Sequence, residues 1–304
     1  MYLEHFGLRE APFGLTPDTQ FFIACGGYQE ALNTLLIAVK NGEGFIKITG
    51  EVGTGKTILC RKFLASLDQE EFATAYMHNP YLDPRTLLLA LAEELEAPIE
   101  KGLDQYQLLR ALNLGLLDIA RQEKRAVLCL DEAQAMPLET LEALRLLTNL
   151  ETEKRKLLQV VLFGQPELDQ RLEQESVRQL KQRITFQHQL QPLNKDEMKN
   201  YVSHRLSIAG YRGGPLFSQQ AIDLLYHASG GIPRLTNILA HKSLMLAYGQ
   251  GKHQVGTGHV RGAVSDTPSV PQRPARRWVW WLAGGLALVA AAAAAVAWMG
   301  MMQA

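Results

Sequence analysis

Residues 50–57 have the residue types and the spacing of a phosphate-binding loop, G-x-x-x-x-G-K-[ST]. Glycines allow backbone N–H groups to turn inward around phosphate oxygens, where side chains would block the approach. Lys56 would place its charge on the β- and γ-phosphates, and the Thr57 hydroxyl would complete the shell of a Mg²⁺ ion. The pattern therefore predicts a nucleoside triphosphate site. The loop consists of Gly50, Glu51, Val52, Gly53, Thr54, Gly55, Lys56 and Thr57.

A pair of carboxylates, Asp131 and Glu132, directly follows the apolar run at 126–130. A strand there would deliver both side chains to the edge of the sheet where the phosphate loop opens. Asp131 would hold Mg²⁺ through water, and Glu132 would orient and polarise the attacking water. The alternative is that two acids simply begin the next helix, but the phosphate loop favours the catalytic interpretation. A glutamate directly after the aspartate indicates hydrolysis instead of storage of the nucleotide.

Four further polar residues lie where they could reach a bound nucleotide. Gln165 follows a predicted strand and could hydrogen-bond the γ-phosphate or the attacking water; otherwise it is a loop residue facing solvent. Arg178 and Arg183 precede the last predicted strand, where a guanidinium could reach the nucleotide of a neighbouring subunit; otherwise they are surface arginines. Arg234 follows Pro233 at the start of a predicted helix and could touch the nucleotide from a second domain.

Short apolar runs alternate with longer helical patterns through the middle of the chain. This alternation predicts an α/β fold with a parallel, doubly covered sheet that binds a nucleotide at the carboxyl ends of its strands. The predicted strands are 45–49, 73–77, 126–130, 157–163 and 184–189. The predicted helices are 28–40, 56–67, 84–95, 104–124, 137–151 and 166–181.

After Pro192 the strand pattern stops, and four helical patterns follow at 194–209, 218–229, 233–248 and 256–264. They predict a small all-helical domain behind the α/β core. The predicted organisation is an N-terminal segment and helix (1–41), the α/β core (42–192), the helical domain (193–266), a Pro- and Arg-rich linker (267–277) and an apolar segment (278–299).

The apolar segment at 278–299 predicts a single transmembrane helix. It has no charged residue, and at about 1.5 Å per residue it would be about 33 Å long, enough to cross a hydrocarbon core. Arg273, Arg276 and Arg277 stand just before it, so the positive-inside rule predicts that the preceding domains are cytoplasmic. The alternative is a buried hairpin or an alanine-rich helix. We therefore expect a single-pass membrane protein with a cytoplasmic body, and the family resemblance given below implies that the membrane is a bacterial inner membrane.

The net charge and the cysteine content limit the possible partners and the cellular compartment of the protein. Basic and acidic residues number 31 each, so the formal net charge is zero, which argues against a dominant electrostatic partner such as duplex DNA. The cysteines Cys25, Cys60 and Cys129 are odd in number and lie in apolar runs, which indicates free thiols in a reducing compartment.

The order of these motifs resembles that of the AAA+ ATPases, and within them the ExeA/GspA secretion-ATPase group. The resemblance implies ATP and Mg²⁺ as ligands, with Gln165 as sensor 1 and Arg234 as sensor 2 of a helical lid. It also implies Arg183 as the arginine finger, with Arg178 as the alternative, in a homo-oligomeric ring such as a hexamer. The stretches that carry the resemblance are 2–22, 44–59, 144–152, 157–168 and 180–185.

The resemblance also implies the kind of work that ATP would power. ExeA-type proteins carry a periplasmic peptidoglycan-binding domain after their membrane helix, whereas this sequence has residues 300–304 after 278–299. This layout is similar to that of proteins of mannose-sensitive haemagglutinin (MSHA) pilus biogenesis. The expectation is an ATPase that acts on pilus or type II secretion-like assembly proteins and does not bind peptidoglycan directly. The alternatives are a DNA-associated ATPase of the transposition-helper type, which the neutral charge disfavours, and a scaffold that hardly hydrolyses, which Asp131 and Glu132 disfavour.

Overall fold

The structure is a computed structural model that describes residues 1–78, 81–98, 102–147, 150–151 and 155–270. Met1–Thr267 form one compact unit. The predicted membrane span at 278–299 and most of the predicted linker at 267–277 lie outside the described residues. Within the residues described, no helix combines the length and the apolar character that crossing a membrane requires.

A five-stranded parallel sheet forms the centre of the molecule, with strand order β2-β3-β4-β1-β5. The three inner strands are almost wholly buried, as expected for a parallel sheet with helices on both faces. All five predicted strands are present, each within a residue or so of its predicted bounds. The strands are β1 (Phe45–Gly50), β2 (Phe72–Met77), β3 (Arg125–Leu130), β4 (Leu158–Gly164) and β5 (Ile184–Leu190).

The register of the sheet places the carboxyl ends of all five strands at one edge. Gly50 pairs with Leu190, Met77 pairs with Leu130, and Leu130 pairs with Leu162. Residues that follow β1, β2, β3 and β4 are therefore neighbours, although they are far apart in the sequence. This is the edge at which parallel α/β sheets bind ligands.

Helices around the sheet begin where the sequence supplies capping side chains. Asp83 accepts hydrogen bonds from the backbone at the start of α4, whose first residue is Pro84. Asp104 and Gln107 cap each other's backbone at the start of α5. The helices of this part are α1 (Tyr2–Phe6), α2 (Gly27–Lys40), α3 (Lys56–Ala65), α4 (Pro84–Glu94), α5 (Gln105–Arg121), α6 (Leu138–Leu147), α7 (Glu167–Leu172) and α8 (Arg178–Lys181).

The single helix predicted at 166–181 is wrong, because the chain forms two short helices, α7 and α8, with a 3₁₀ turn at Glu175–Val177 between them. Leu172 and Val177 are both buried, but they are five positions apart. Five residues of α-helix turn the chain well past one full turn, so these two side chains could not share one helix face. The break in the helix allows both to reach the core.

Four helices, here called the helical bundle, follow the sheet. They are α9 (Lys195–Ile208), α10 (Gln219–Ser229), α11 (Pro233–Gly249) and α12 (Thr257–Ser265). All four were predicted, because the starts carry capping signals: Asn194 and Glu197 form a capping box at α9, and the Ser218 side chain caps α10.

The N-terminal segment packs on the helical bundle, which the sequence did not indicate. Helix α1 was not predicted, and it lies against α11. The backbone N–H of Arg9 donates to the carbonyl of Ala209, at 2.8 Å. The rings of Phe13 and Phe217 meet edge to face, with centroids 6.0 Å apart. The first residues of the chain therefore connect the bundle to α2 and the sheet.

Candidate nucleotide site

The predicted phosphate loop connects β1 to α3 at the ligand-binding edge of the sheet. Gly53 and Gly55 have φ angles of 81° and 93°, a left-handed conformation that disfavours residues with a Cβ. Gly55 caps α3, so the helix begins at Lys56. Gly55, the second glycine of the motif, and Gly53, at one of its variable positions, thus occupy backbone conformations that glycine adopts most readily.

Lys56 lies beneath the loop, with its side chain folded against it. Its Nζ donates to the carbonyl oxygens of Gly50 (2.8 Å) and Glu51 (3.1 Å). Burial lowers the pKa of Lys56, while the nearby charges of Glu132 and Asp131 act in the opposite direction. The ammonium group is therefore held close to the loop by neutral carbonyls, which a phosphate oxygen could replace with a stronger, charged partner.

Thr57 and Asp131 join the phosphate loop to the end of β3. The Thr57 hydroxyl donates to Oδ2 of Asp131 at 2.6 Å, and the Asp131 side chain is fully buried. A hydroxyl and a carboxylate oxygen are the hard ligands that Mg²⁺ prefers. These two residues fit the predicted ion, and they are the residues that would hold it.

Glu132 is held by two side-chain amides. Its Oε2 accepts hydrogen bonds from Nε2 of Gln134 (2.6 Å) and from Nε2 of Gln165 (3.1 Å). Gln134 in turn accepts from the backbone N–H of Gln165, at 2.9 Å. Burial alone would raise the pKa of Glu132, but these hydrogen bonds and the charge of Lys56 bring it below its usual value. Glu132 is therefore an ionised, oriented carboxylate beside the loop.

The structure brings Gln165 to Glu132, as its place after a strand suggested, and it adds Gln134, which sequence reasoning missed. Gln134 lies in a 3₁₀ turn, Ala133–Ala135, between β3 and α6. Nothing in its sequence context distinguishes it from other polar residues at the start of a helix. Its role appears only when the turn places its amide between Glu132 and Gln165.

Tyr76 and His78 are two further neighbours of Asp131 that the sequence did not reveal. The Tyr76 hydroxyl lies 3.5 Å from Oδ2 of Asp131 and 3.2 Å from Nδ1 of His78. Nδ1 of His78 is 3.7 Å from the same carboxylate oxygen. Burial and the charge of Asp131 raise the pKa of Tyr76 to about 12, so its hydroxyl stays protonated. Both residues come from β2 and its end, next to β3 in the sheet.

The helical bundle reaches the loop through the start of α11. The backbone N–H of Arg234 donates to the carbonyl of Gly53 at 3.1 Å. A Cβ on Gly53 would lie 2.7 Å from the Cβ of Arg234, so the approach depends on glycine. The side chain of Arg234 is exposed next to the loop. Arg234 therefore lies close enough to the loop of its own chain to make the predicted contact with a bound nucleotide.

Of the two candidate arginine fingers, Arg183 lies away from the loop of its own chain. Arg183 precedes β5 and donates from Nη1 to the carbonyl of Arg145, at 3.1 Å. The far end of β5 is level with Gly50, and a seven-residue strand at roughly 3.3 Å per residue spans about 20 Å. Arg178 is exposed on α8. The Arg183 guanidinium therefore cannot serve the site of its own chain, and a role of either arginine across a subunit boundary stays a prediction.

A cavity of about 310 Å³ opens beside the phosphate loop. Residues of the N-terminal segment and of the helical bundle complete its walls. The Tyr28 hydroxyl donates to the carbonyl of Thr54 and fixes α2 to the loop. Outside the loop itself, most residues that line the cavity are aromatic or aliphatic. The residues that give it this character include Leu15, Pro17, Phe21, Phe22, Ile23 and Tyr201.

Comparison with known proteins agrees with this geometry. Residues 39–172 match the family model described as "AAA domain". Over 270 residues, or 89% of this chain, the sequence is 41% identical to general secretion pathway protein A of Aeromonas hydrophila. The chain spans 49% of the length of that relative.

Solved structures share the fold at low sequence identity. The ORC2 protein of Aeropyrum pernix is 18% identical, with a TM-score of 0.64 over 86% of this chain and 72% of that one. Cdc6p of Pyrobaculum aerophilum is 19% identical, with a TM-score of 0.65 over 84% and 70% of the two chains. The RuvB Holliday junction branch migration motor of Thermotoga maritima is 16% identical, with a TM-score of 0.52 over 79% and 68%. These likenesses show the fold alone.

Proposed function

We propose that this chain is an AAA+ P-loop ATPase of the general secretion pathway protein A group, that it is anchored to a bacterial inner membrane, and that it couples ATP binding and hydrolysis to the assembly of an envelope machine. The machine would be a type II secretion-like system or a type IV pilus of the MSHA kind.

The observation that carries the hydrolytic part of the proposal is the meeting of the loop with the acid pair. Thr57 contacts Asp131, and Glu132 is held next to them by Gln134 and Gln165. A protein that only stores a nucleotide needs the loop but has no need of an oriented carboxylate beside it. The oriented Glu132 therefore supports turnover.

The roles of the residues follow from their chemistry. The loop backbone and Lys56 would bind the β- and γ-phosphates. Mg²⁺ held by Thr57 and Asp131 would supply positive charge that neutralises these phosphates. Glu132 would accept a proton from the attacking water. The oxygen of that water would bond to the γ-phosphorus while the bond between the γ-phosphorus and the oxygen of the departing ADP breaks. Gln165 keeps Glu132 oriented and lies where it could also sense the γ-phosphate.

The helical bundle would act as a lid whose position depends on the nucleotide bound in the site. Its contact with the loop, from the Arg234 backbone to Gly53, makes its position sensitive to what the loop holds. Gain or loss of the γ-phosphate would change the partners of Arg234 and move α11. In a ring of identical subunits, Arg183, or alternatively Arg178, would complete the site of the next subunit.

The envelope setting is proposed on the kinship with general secretion pathway protein A and on the apolar segment at 278–299. The neutral net charge fits a protein partner better than a nucleic acid. The match to that relative extends over 89% of this chain, and residues 39–172 are its AAA domain, so energy supply to assembly proteins is the function we transfer.

Membrane fractionation with cross-linking tests this setting. The full chain should remain with inner membranes after alkaline carbonate extraction, and a chain that ends at residue 270 should be released. Cross-linking in those membranes, followed by purification of the chain, should recover pilus or secretion assembly proteins, and Lys56→Ala should reduce that recovery. Release of the full chain by carbonate, or recovery of DNA-recombination proteins in place of envelope proteins, would contradict the proposal.

A further inference from the structure

Arg205 is a buried cation that the ATPase motifs do not account for. It lies on α9 and is 5% exposed. Among the described residues, no carboxylate forms an ion pair with it. A buried guanidinium without an acidic partner is costly unless other groups satisfy it, so its contacts indicate what it is for.

The guanidinium of Arg205 binds the N-terminal segment. Its Nε donates to the carbonyl of Pro12, and its Nη2 lies 3.4 Å from the carbonyl of Gly14. Its centre stands 4.5 Å from the centroid of the Phe21 ring, a cation–π distance. Nη1 donates to the Tyr201 hydroxyl at 3.0 Å. The planar group thus fastens one helix of the bundle to a segment that is distant in sequence.

A second donor supports the same attachment. The Tyr201 hydroxyl donates a hydrogen bond to Oδ1 of Asn237, at 3.0 Å. Nδ2 of Asn237 lies 3.4 Å from the carbonyl of Gly14, which is also approached by Arg205. Both residues are buried, so α9 and α11 act on the same carbonyl through one polar network.

The same segment is attached to the core at its other end. Nη1 of Arg61, on α3, donates to the carbonyl of Pro17 at 2.9 Å. Residues 12–17 therefore run from Arg205 in the bundle to Arg61 on the helix that follows the phosphate loop. Gly14, Phe21 and Arg205 all line the cavity beside that loop.

We infer that Arg205 is a positioning residue for the nucleoside end of the bound nucleotide. This inference rests on the proposed function, because it requires that the triphosphate occupies the loop. With the phosphates on the loop, the base and sugar extend into the aromatic side of the cavity, whose wall is the segment that Arg205 holds. Bases stack readily on aromatic side chains, so the placement of Phe21 and its neighbours sets the affinity for the nucleoside part.

The residues that would bind the phosphates differ from those that Arg205 contacts. The loop is built by β1, α3 and the glycines, and Arg205 makes none of its contacts there. Loss of Arg205 should therefore weaken ATP, which uses both ends, and leave inorganic tripolyphosphate, which uses only the loop, almost unaffected. A purely structural role in folding would weaken both ligands.

The test is equilibrium binding to the full chain in detergent, by displacement of a fluorescent ATP analogue with Mg²⁺ present. Arg205→Ala should raise the Kd of ATP about tenfold or more, since a single ligand-positioning contact is typically worth that much. The Kd of tripolyphosphate should change by less than about twofold. Arg205→Lys, which keeps the charge but loses the planar fork, should give a smaller shift of ATP in the same direction.

The control variant is Arg212→Ala, which removes an exposed arginine of the same bundle and should change neither the Kd of ATP nor the Kd of tripolyphosphate.

A second, milder variant serves if Arg205→Ala does not fold. Tyr201→Phe removes one hydrogen-bond acceptor of Arg205 and should raise the Kd of ATP but not the Kd of tripolyphosphate. An unchanged Kd of ATP in the Arg205 and Tyr201 variants, or an equal rise for ATP and tripolyphosphate, would overturn the inference. Failure of the wild-type chain to hydrolyse the ATP it binds would count against the proposed function alone, because these constants do not depend on turnover.

Discussion

Gln165 donates from its side-chain amide to Oε2 of Glu132 at 3.1 Å, and so connects the end of β4 to the end of β3. Both residues follow strands that are neighbours in the sheet, although they are 33 positions apart in sequence. The contact makes the carboxylate that would polarise water dependent on a residue that could sense the nucleotide. It also stabilises the ionised form of Glu132, together with Gln134.

Removal of these amides should move the pH dependence of ATP turnover. The hydrogen bonds from Gln134 and Gln165 lower the pKa of Glu132, so the carboxylate stays ionised as the pH falls. Without them its pKa rises, and the acidic limb of the turnover profile should begin at higher pH. For Gln134→Ala we expect the acidic limb to move to higher pH, because the lost hydrogen bond stabilises the ionised form of Glu132.

The matched control is Gln179→Ala, which removes an exposed glutamine on α8 and should leave the profile unchanged. The measurement is the turnover number at saturating ATP and Mg²⁺ from about pH 3 to about pH 7, a range that includes the ordinary glutamate pKa of about 4.3 and lower values. An acidic limb that stays in place in Gln134→Ala would show that the amide does not govern the ionisation of Glu132. Gln165→Ala should show the same shift with an additional loss at high pH, if Gln165 also contacts the γ-phosphate.

The sequence was sufficient for the sheet and for the residues on it, because each depends on local patterns. The strands β1, β3 and β4 are buried on both faces and therefore mostly apolar, which makes them easy to recognise in spite of buried polar residues such as Lys47 and Gln159. The loop motif and the Asp131–Glu132 pair follow such strands directly. Their meeting in space follows from the parallel order of the strands.

The remaining features depend on contacts between distant segments. Gln134 acts through a 3₁₀ turn, and Arg205 looks like any polar residue on α9 until the N-terminal segment is seen to pack on it. The break between α7 and α8 arises from core positions five residues apart, which a propensity for helix does not reveal. In each case tertiary packing decides what the local sequence leaves open.

Two adjacent glycines allow a test of how the helical bundle is attached to the sheet. A Cβ on Gly231 would lie 2.0 Å from the carbonyl oxygen of Leu193, and the Leu193 N–H donates to Gly231 at 3.0 Å. Gly230 has no atom within 4 Å of its Cβ position. Gly231 and Gly230 have φ angles of 74° and 60°. Alanine at either position should therefore destabilise the folded protein by about 1–2 kcal/mol because of the left-handed backbone.

Gly231→Ala should therefore lose more stability than Gly230→Ala, by a further 1–3 kcal/mol or so, for the steric overlap and the damaged hydrogen bond. Urea denaturation followed by circular dichroism measures the difference. Equal midpoints for the two variants would mean that the bundle tolerates movement away from Leu193, and the close packing of the two parts would not matter for stability.

Arg183 is the subject of a complementation prediction. Since about 20 Å separates it from the loop of its own chain, it can act only on a neighbour. Arg183→Ala and Lys56→Ala should each abolish most turnover. Mixing them should restore part of it, because some interfaces would pair an intact loop with an intact arginine. The same mixture made with Arg178→Ala tells which arginine is used. No recovery in either mixture would contradict a site shared between subunits.

The most direct test of the central claim is the separation of binding from hydrolysis in Glu132→Gln. The amide preserves the size of the side chain but cannot accept the proton of the attacking water. The account predicts that the Kd of ATP stays within about threefold of the wild type, while turnover falls by a factor of about 100 or more, the usual contribution of a general base. Turnover equal to that of the wild-type chain would contradict the assignment of Glu132 and, with it, the hydrolytic site described above.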